Sequence, residues 1–283
     1  MVLSWLRRLL APDREPRPAT ATGLPGIDGL PFYRRLPDEE QARLRSLTRH
    51  LVDDKSWEGC GGLELKEEMQ VVIAAQAARL ILNLDHAYYR KVRTILVYPS
   101  GYRTPDGEGR LGEAWHRGPV ILAWDSAFAG GRNPRDGRNL VYHEFAHKLD
   151  LLDGYADGAP PLGGGAQHEA WRRITSREYE ELVRRAERRR KSFLNPYGAT
   201  NPAEFFAVAT EHFFEQPRKM IRKHRALYRE LQSFYRQHPA ARARRRRKAT
   251  CRRRVSSTSG RQTRAVRRCR IRSGHRPFER LYR

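Results

Sequence analysis

The chain has 283 residues, of which 39% are hydrophobic, and a formal net charge of +24. That length suits one sizeable domain with extensions, and no apolar run approaches the ~18 residues that a membrane helix needs. Three widely spaced cysteines (Cys60, Cys251 and Cys269), with no CxxC among them, argue against a disulfide framework and fit a reducing compartment.

The N-terminal "MVLSWLRRLLAP" is apolar but short. It carries Arg7 and Arg8 within the stretch and no convincing small-residue cleavage site follows. It reads as a short amphipathic helix rather than a signal peptide, so the expected location is the cytoplasm. The charge is unevenly spread. Residues 241–283 hold 18 Lys+Arg against one acid, Glu279, which accounts for +17 of the total. The remainder is only mildly basic, and its charge says little about partners.

Residues 11–36 are rich in Pro and Gly and predict an irregular lead-in. Helical spacing begins near Pro37, with Leu44, Leu47 and Leu51 on one face. After the "GCGG" turn, residues 63–84 predict a long helix whose run "VVIAAQAARLIL" implies burial on most sides. Two β-like stretches follow, at 94–102 and 118–128. Helices are then expected over 139–153, 167–192, 203–214 and 218–237. Few strands among many helices indicate an α+β, helix-dominated fold with a small β-sheet. The expected organisation is a lead-in (1–36), one domain (37–240) and an Arg-rich tail (241–283). The tail is low in aliphatics and should be disordered in isolation. Nucleic acid or an anionic surface could engage it, although a merely solvated tail is the simpler reading.

Within 139–153 stands His143-Glu144-Phe145-Ala146-His147. Composition alone would generate this HExxH pattern about 0.02 times in such a chain. Residues i and i+4 share a helix face, so His143 and His147 can present two imidazoles to one metal ion. Glu144 then sits where a carboxylate can reach a metal-activated water without ligating the metal, as a general base must. Lys148 is unusual after the second histidine, because many zinc peptidases carry an uncharged residue there.

Catalytic zinc usually takes three protein ligands. The sequence "KLDLLDGYAD" after His147 offers no third histidine at the usual spacing, so a carboxylate from another helix is the plausible source. Asp150 and Asp153 lie near the same face. Asp150 could accept an imidazole N–H proton and fix its tautomer, whereas Asp153 suits helix-end solvation. In "NPYGATNPAEFFAVATEHFFEQP" (195–217), Glu204 and Glu211 stand two turns apart on one face of a largely apolar helix. Glu204 has a competing local role, since Asn201, Pro202 and Glu204 read as the N-cap, first and third positions of a capping box. Glu211 and Glu215 could equally face solvent or a histidine, and His212 is a rival ligand.

"HEFAHKLD" together with "NPYGATNPAEFFAVATEHFFEQP" resembles the Mlc titration factor A family of cytoplasmic zinc peptidases. The same segments look like the catalytic region of the anthrax-toxin lethal factor peptidase domain. The resemblance spans roughly residues 20–240. It implies a zincin-like, gluzincin-type metallopeptidase fold holding one Zn2+ per chain. By that resemblance His143, His147 and Glu204 are the zinc ligands, Glu144 is the catalytic base, and Tyr197 is the hydroxyl that stabilises the transition state. Glu211 departs from lethal factor, whose extra glutamate would fall at Val208; its supporting role is correspondingly weaker. The family further implies aminopeptidase activity on small peptide-like substrates. It also implies binding to a glucose repressor of Mlc type, which relieves repression of sugar phosphotransferase genes. The Arg-rich tail lies outside the family pattern.

Overall fold

A computed structural model of the chain describes residues 23–103, 109–110, 112–114 and 118–241. The expected N-terminal amphipathic helix and the basic tail beyond Ala241 lie outside these residues.

The irregular lead-in forms two short 3-10 turns, Ile27–Gly29 and Tyr33–Arg35. Its apolar side chains are nonetheless core: Leu24, Ile27, Leu30, Phe32, Tyr33 and Leu36 are all buried. Helix α1 (Asp38–Asp54) opens with three acids in its first turn, favourable against the positive end of the helix dipole. It buries Leu44, Leu47 and Leu51 against α2 (Glu67–Leu80). Helix α2 is buried from Val71 to Leu80, and two polar residues, Gln76 and Arg79, go inside with it.

Strands β1 (Ser56–Gly59), β2 (Thr94–Tyr98), β6 (Val120–Ala123) and β5 (Gly112–Ala114) form one sheet in the order β1-β2-β6-β5. The first three run parallel, and β5 pairs antiparallel to β6 at the edge. Two-residue strands β3 (Tyr102–Arg103) and β4 (Gly109–Arg110) make a separate ribbon.

The second β-like stretch ends sooner than its sequence suggests. Residues Trp124–Arg132 form helix α3, not the continuation of a strand. Its Gly130 and Gly131 permit close approach, since a Cβ there would stand 3.1 Å from the Asn139 Cα and 3.0 Å from the Gln76 Nε2. Helix α4 (Leu140–Asp150) follows and packs against α6 (Pro202–Glu215), α2, α3 and both β5 and β6. Helix α5 (Gly165–Glu187) lies between them in sequence. The expected final helix is two pieces, α7 (Pro217–Lys223) and α8 (Arg225–Tyr235), broken at His224. His224 takes extended-side dihedrals (φ −133°, ψ 59°), and its Nδ1 pairs with Glu178 on α5 at 2.7 Å. No helix among the described residues is long and apolar enough to cross a membrane.

Candidate metal centre

Helix α4 starts where it does because of Asn139. Its side-chain oxygen accepts from the Tyr142 N–H at 3.0 Å, a standard N-cap. The helix is buried from Leu140 to Ala146, including His143 and Glu144. Helix α6 starts at Pro202, with Asn201 as its N-cap accepting from the Glu204 N–H at 2.9 Å. Half of the expected capping box therefore forms. The other half does not, because the Glu204 carboxylate turns to the histidines instead.

Three side chains converge between these helices. Glu204 Oε2 lies 2.9 Å from His143 Nε2 and 3.6 Å from His147 Nε2. His143, His147 and Glu204 each offer one ligand atom, all within 4.8 Å of one another, a group that could hold a metal ion. The imidazole rings stand edge to face, with centroids 4.9 Å apart. His143 is buried, while His147 and Glu204 are half-buried and reachable from outside.

The other nitrogen of His143 is also held. Its Nδ1 pairs with Glu211 Oε1 at 2.9 Å, and Glu211 Oε2 accepts the Asn139 backbone N–H. Glu211 thus binds the first residues of α4 and orients the ring that Glu204 meets from the other side. Such a carboxylate on the remote nitrogen fixes the tautomer of a ligating histidine. Asn139 is itself anchored: its Nδ2 donates to Gln76 Oε1 at 2.9 Å and to Glu215 Oε1 at 3.3 Å.

The electrostatics favour a cation. Burial opposes charge on His143, but Glu204 and Glu211 outweigh it and push the imidazole well above its ordinary range. Burial likewise opposes charge on Glu204, yet the two histidines hold its carboxyl far below the usual range. What holds a proton on His143 would attract a metal cation to the same point. The donor set of two imidazoles and one carboxylate matches the three protein ligands of a catalytic zinc, which leaves coordination positions open.

Glu144 does not join the cluster. It is buried, and burial raises its pKa, with the two histidines pulling the other way. Its carboxylate lies against the edge strand: a Cβ on Gly112 would stand 2.5 Å from Glu144 Oε1 and 2.8 Å from Leu140 Cδ1. Only glycine leaves room there without something moving. Tyr197, in the 3-10 turn Pro196–Ala199, stands with its ring centroid 5.8 Å from that of His143.

The remaining candidates take other places. His212 is buried, but its Nδ1 faces the Val208 carbonyl on its own helix at 3.0 Å, and a Cβ on Gly137 would stand 2.8 Å from its Nε2. Asp150 accepts from the Gly158 N–H at 3.1 Å, and its other oxygen has no hydrogen-bond partner. Asp153 caps the following turn through the Tyr155 N–H. Lys148 is buried, with its Nζ donating to the Gly118 carbonyl at 3.0 Å, so it ties α4 to the segment before β6. Burial brings its pKa down to about 8.

Gly112, Asn139 and Gln76 were not singled out by sequence. Asn139 carried a usable signal, an Asn directly before an apolar helical run. The other two depend on contacts 28 or more residues distant in the chain.

Residues 26–236 match the sequence profile of a family described as glucose-regulated metallo-peptidase M90. An uncharacterized protein of Synechocystis sp. is 38% identical over 74% of this chain and 80% of its own length. Mlc titration factor A of Yersinia enterocolitica is 29% identical over 86% of this chain and 94% of its own. That of Yersinia pestis is 30% identical over 76% and 84% respectively.

Asp150 gives this region a pH dependence. Burial raises its pKa from 3.8 to about 7, against the Gly158 hydrogen bond. The folded chain therefore keeps a proton that the unfolded chain releases near pH 4. Its contribution to stability is full below that pH and is lost as pH rises towards 7. Asp150→Asn should flatten this fall, as measured by urea unfolding at pH 4.5, 6 and 7.5.

Proposed function

Because the chain belongs to the glucose-regulated metallo-peptidase M90 family, we propose that it is a zinc-dependent peptidase of gluzincin-type, zincin-like architecture. The observation that carries this reading is the convergence of His143, His147 and Glu204 from two helices, with the buried Glu144 one residue after the first ligand. The ion is proposed as Zn2+ on the chemistry of that donor set. Bound there, it would supply Lewis acidity and an acidified water.

The chain's own residues do the rest. Glu144, with a pKa raised by burial, takes the proton of the attacking water and returns it to the leaving amine. Tyr197 donates its phenolic hydrogen to the oxyanion that develops on the scissile carbonyl. Glu211 keeps His143 in the tautomer that presents Nε2. Asp150 supports the same helix through the Gly158 loop. Strand β5 is the last strand of its sheet among the described residues. Its Gly112 touches Glu144, so an extended peptide added to that edge would pass the catalytic base.

Aminopeptidase specificity and a cytoplasmic location are proposed from the family resemblance. A second reading, repressor sequestration with weak or latent peptidase activity, draws on the name that the Yersinia relatives carry, Mlc titration factor A. Under it a transcription repressor of Mlc type is the partner and the metal site is secondary. The domain would then comprise residues 37–240 with the preceding lead-in, and the basic tail would serve neither role.

Three substitutions test the peptidase reading. Glu144→Gln should abolish hydrolysis of chromogenic aminoacyl and peptide substrates while metal content stays at one per chain. Retained hydrolysis would remove Glu144 as the base, and full repressor binding in the inactive variant would separate the two roles. Tyr197→Phe should lower kcat by about 10²–10³-fold, the usual cost of one oxyanion donor. Gly112→Ala should cost about 10²-fold in kcat/KM by displacing the Glu144 carboxylate, with zinc still bound; wild-type turnover would show that the contact does not position the base.

A further inference from the structure

A cavity of about 320 Å³ lies between the lead-in, the end of α2, the 134–135 turn and the α6–α7 junction. That volume is within the ~300–1,000 Å³ typical of small-molecule sites. Five cationic residues line it (Arg35, Arg79, Arg135, Arg218 and Lys219) and only one acid, Glu215.

Arg79 is the informative residue. It is 6% exposed, yet it makes no ion pair with any described residue. Its guanidinium donates to the Tyr142 hydroxyl at 2.7 Å and to the Phe214 carbonyl at 3.5 Å, both neutral acceptors. Its Nε has no hydrogen-bond partner. The group stacks over Phe32 and Phe214, 4.5 Å and 5.0 Å from their ring centroids. Glu215 acts on it electrostatically but forms no ion pair with it. One oxygen accepts from Asn139, the other has no partner, and burial pushes this carboxyl towards its protonated form. A buried guanidinium ordinarily has an anion beside it.

We propose that this cavity binds a phosphate group, free or carried on a small organic molecule, between Arg79 and the cationic rim of Arg135, Arg218 and Lys219. The planar guanidinium fork matches phosphate oxygens. Burial disfavours charge on Glu215, which lessens its repulsion of such an oxygen. Phe32 and Phe214 provide apolar walls for an organic body, which the volume accommodates. The site is distinct from the metal centre but touches the same helix, because Tyr142 precedes His143 and Asn139 joins Glu215 to the helix start.

The test is calorimetric titration of the zinc-loaded full chain at 0.15 M salt with ribose 5-phosphate, inorganic phosphate and ribose. Saturable one-site binding of a phosphate-bearing probe is expected, with none for ribose. Tighter binding of the ester identifies an organic phosphate as the occupant, and equal binding identifies free phosphate. The variant Arg135→Ser/Arg218→Ser/Lys219→Ser should weaken binding at least tenfold with its unfolding midpoint unchanged. Arg79→Met should abolish it, provided that variant folds. Absence of saturable binding would overturn the proposal. So would binding that survives the triple variant, which would place the anion on the basic tail or at the metal centre.

Discussion

One imidazole is gripped at both nitrogens by carboxylates from a single helix, and much of the centre depends on it. Glu204 and Glu211 stand two turns apart on α6 and meet His143 from opposite sides at 2.9 Å each. Buried carboxylates are costly unless satisfied, and hydrogen bonds to charged groups contribute about 1.5–3 kcal/mol apiece. The arrangement satisfies Glu211 twice, through His143 and the Asn139 N–H. The same contacts fix how α4 and α6 sit against each other. The geometry of the His143, His147 and Glu204 cluster is therefore a consequence of helix packing rather than of a flexible loop.

The surrounding structure serves that pairing. Gln76 on the buried α2 holds Asn139, which caps α4. The loop after α4 is pinned at Gly158, whose N–H meets Asp150 and whose carbonyl accepts from Trp171 Nε1 at 3.0 Å. Gly158 has a left-handed φ of 77° and lies directly against the Pro202 carbonyl, so a side chain there would press on the first turn of the helix that carries Glu204. The small sheet places its edge strand against the Glu144 carboxylate. Lys148, the residue that looked out of place after the second histidine, ties the end of α4 to the segment leading into that sheet.

The helices were legible in the sequence because their signals are local. Asn201-Pro202 marked the start of α6, and the HExxH spacing fixed a common face on α4. Glu204 was legible as a capping residue or a ligand, and local pattern alone could not choose, since its carboxylate answers to residues about 60 positions earlier. The strands were harder. β1 and β5 have four and three residues, too few for alternation to register, and their pairing is set by distant partners. Residues 124–128 read as strand because their aromatic start follows a true strand without punctuation, while Gly130 and Gly131 later in the same helix, which look like helix breakers, are packing contacts. The cationic cavity was invisible for a similar reason: Arg79 sits in a run that reads as uniformly apolar, and its neighbours come from four separate segments. Membership of the M90 family rests on a match over residues 26–236, which includes both helices of the centre.

The most direct measurement is X-ray absorption at the zinc edge of the metal-loaded protein, beside Glu204→Ala. The account predicts a first shell of two imidazole nitrogens and light oxygen ligands at about 2.0–2.1 Å, with no sulfur. The variant should lose an oxygen ligand or the metal itself. A sulfur scatterer, a single imidazole, or an unchanged shell in the Glu204 variant would contradict it.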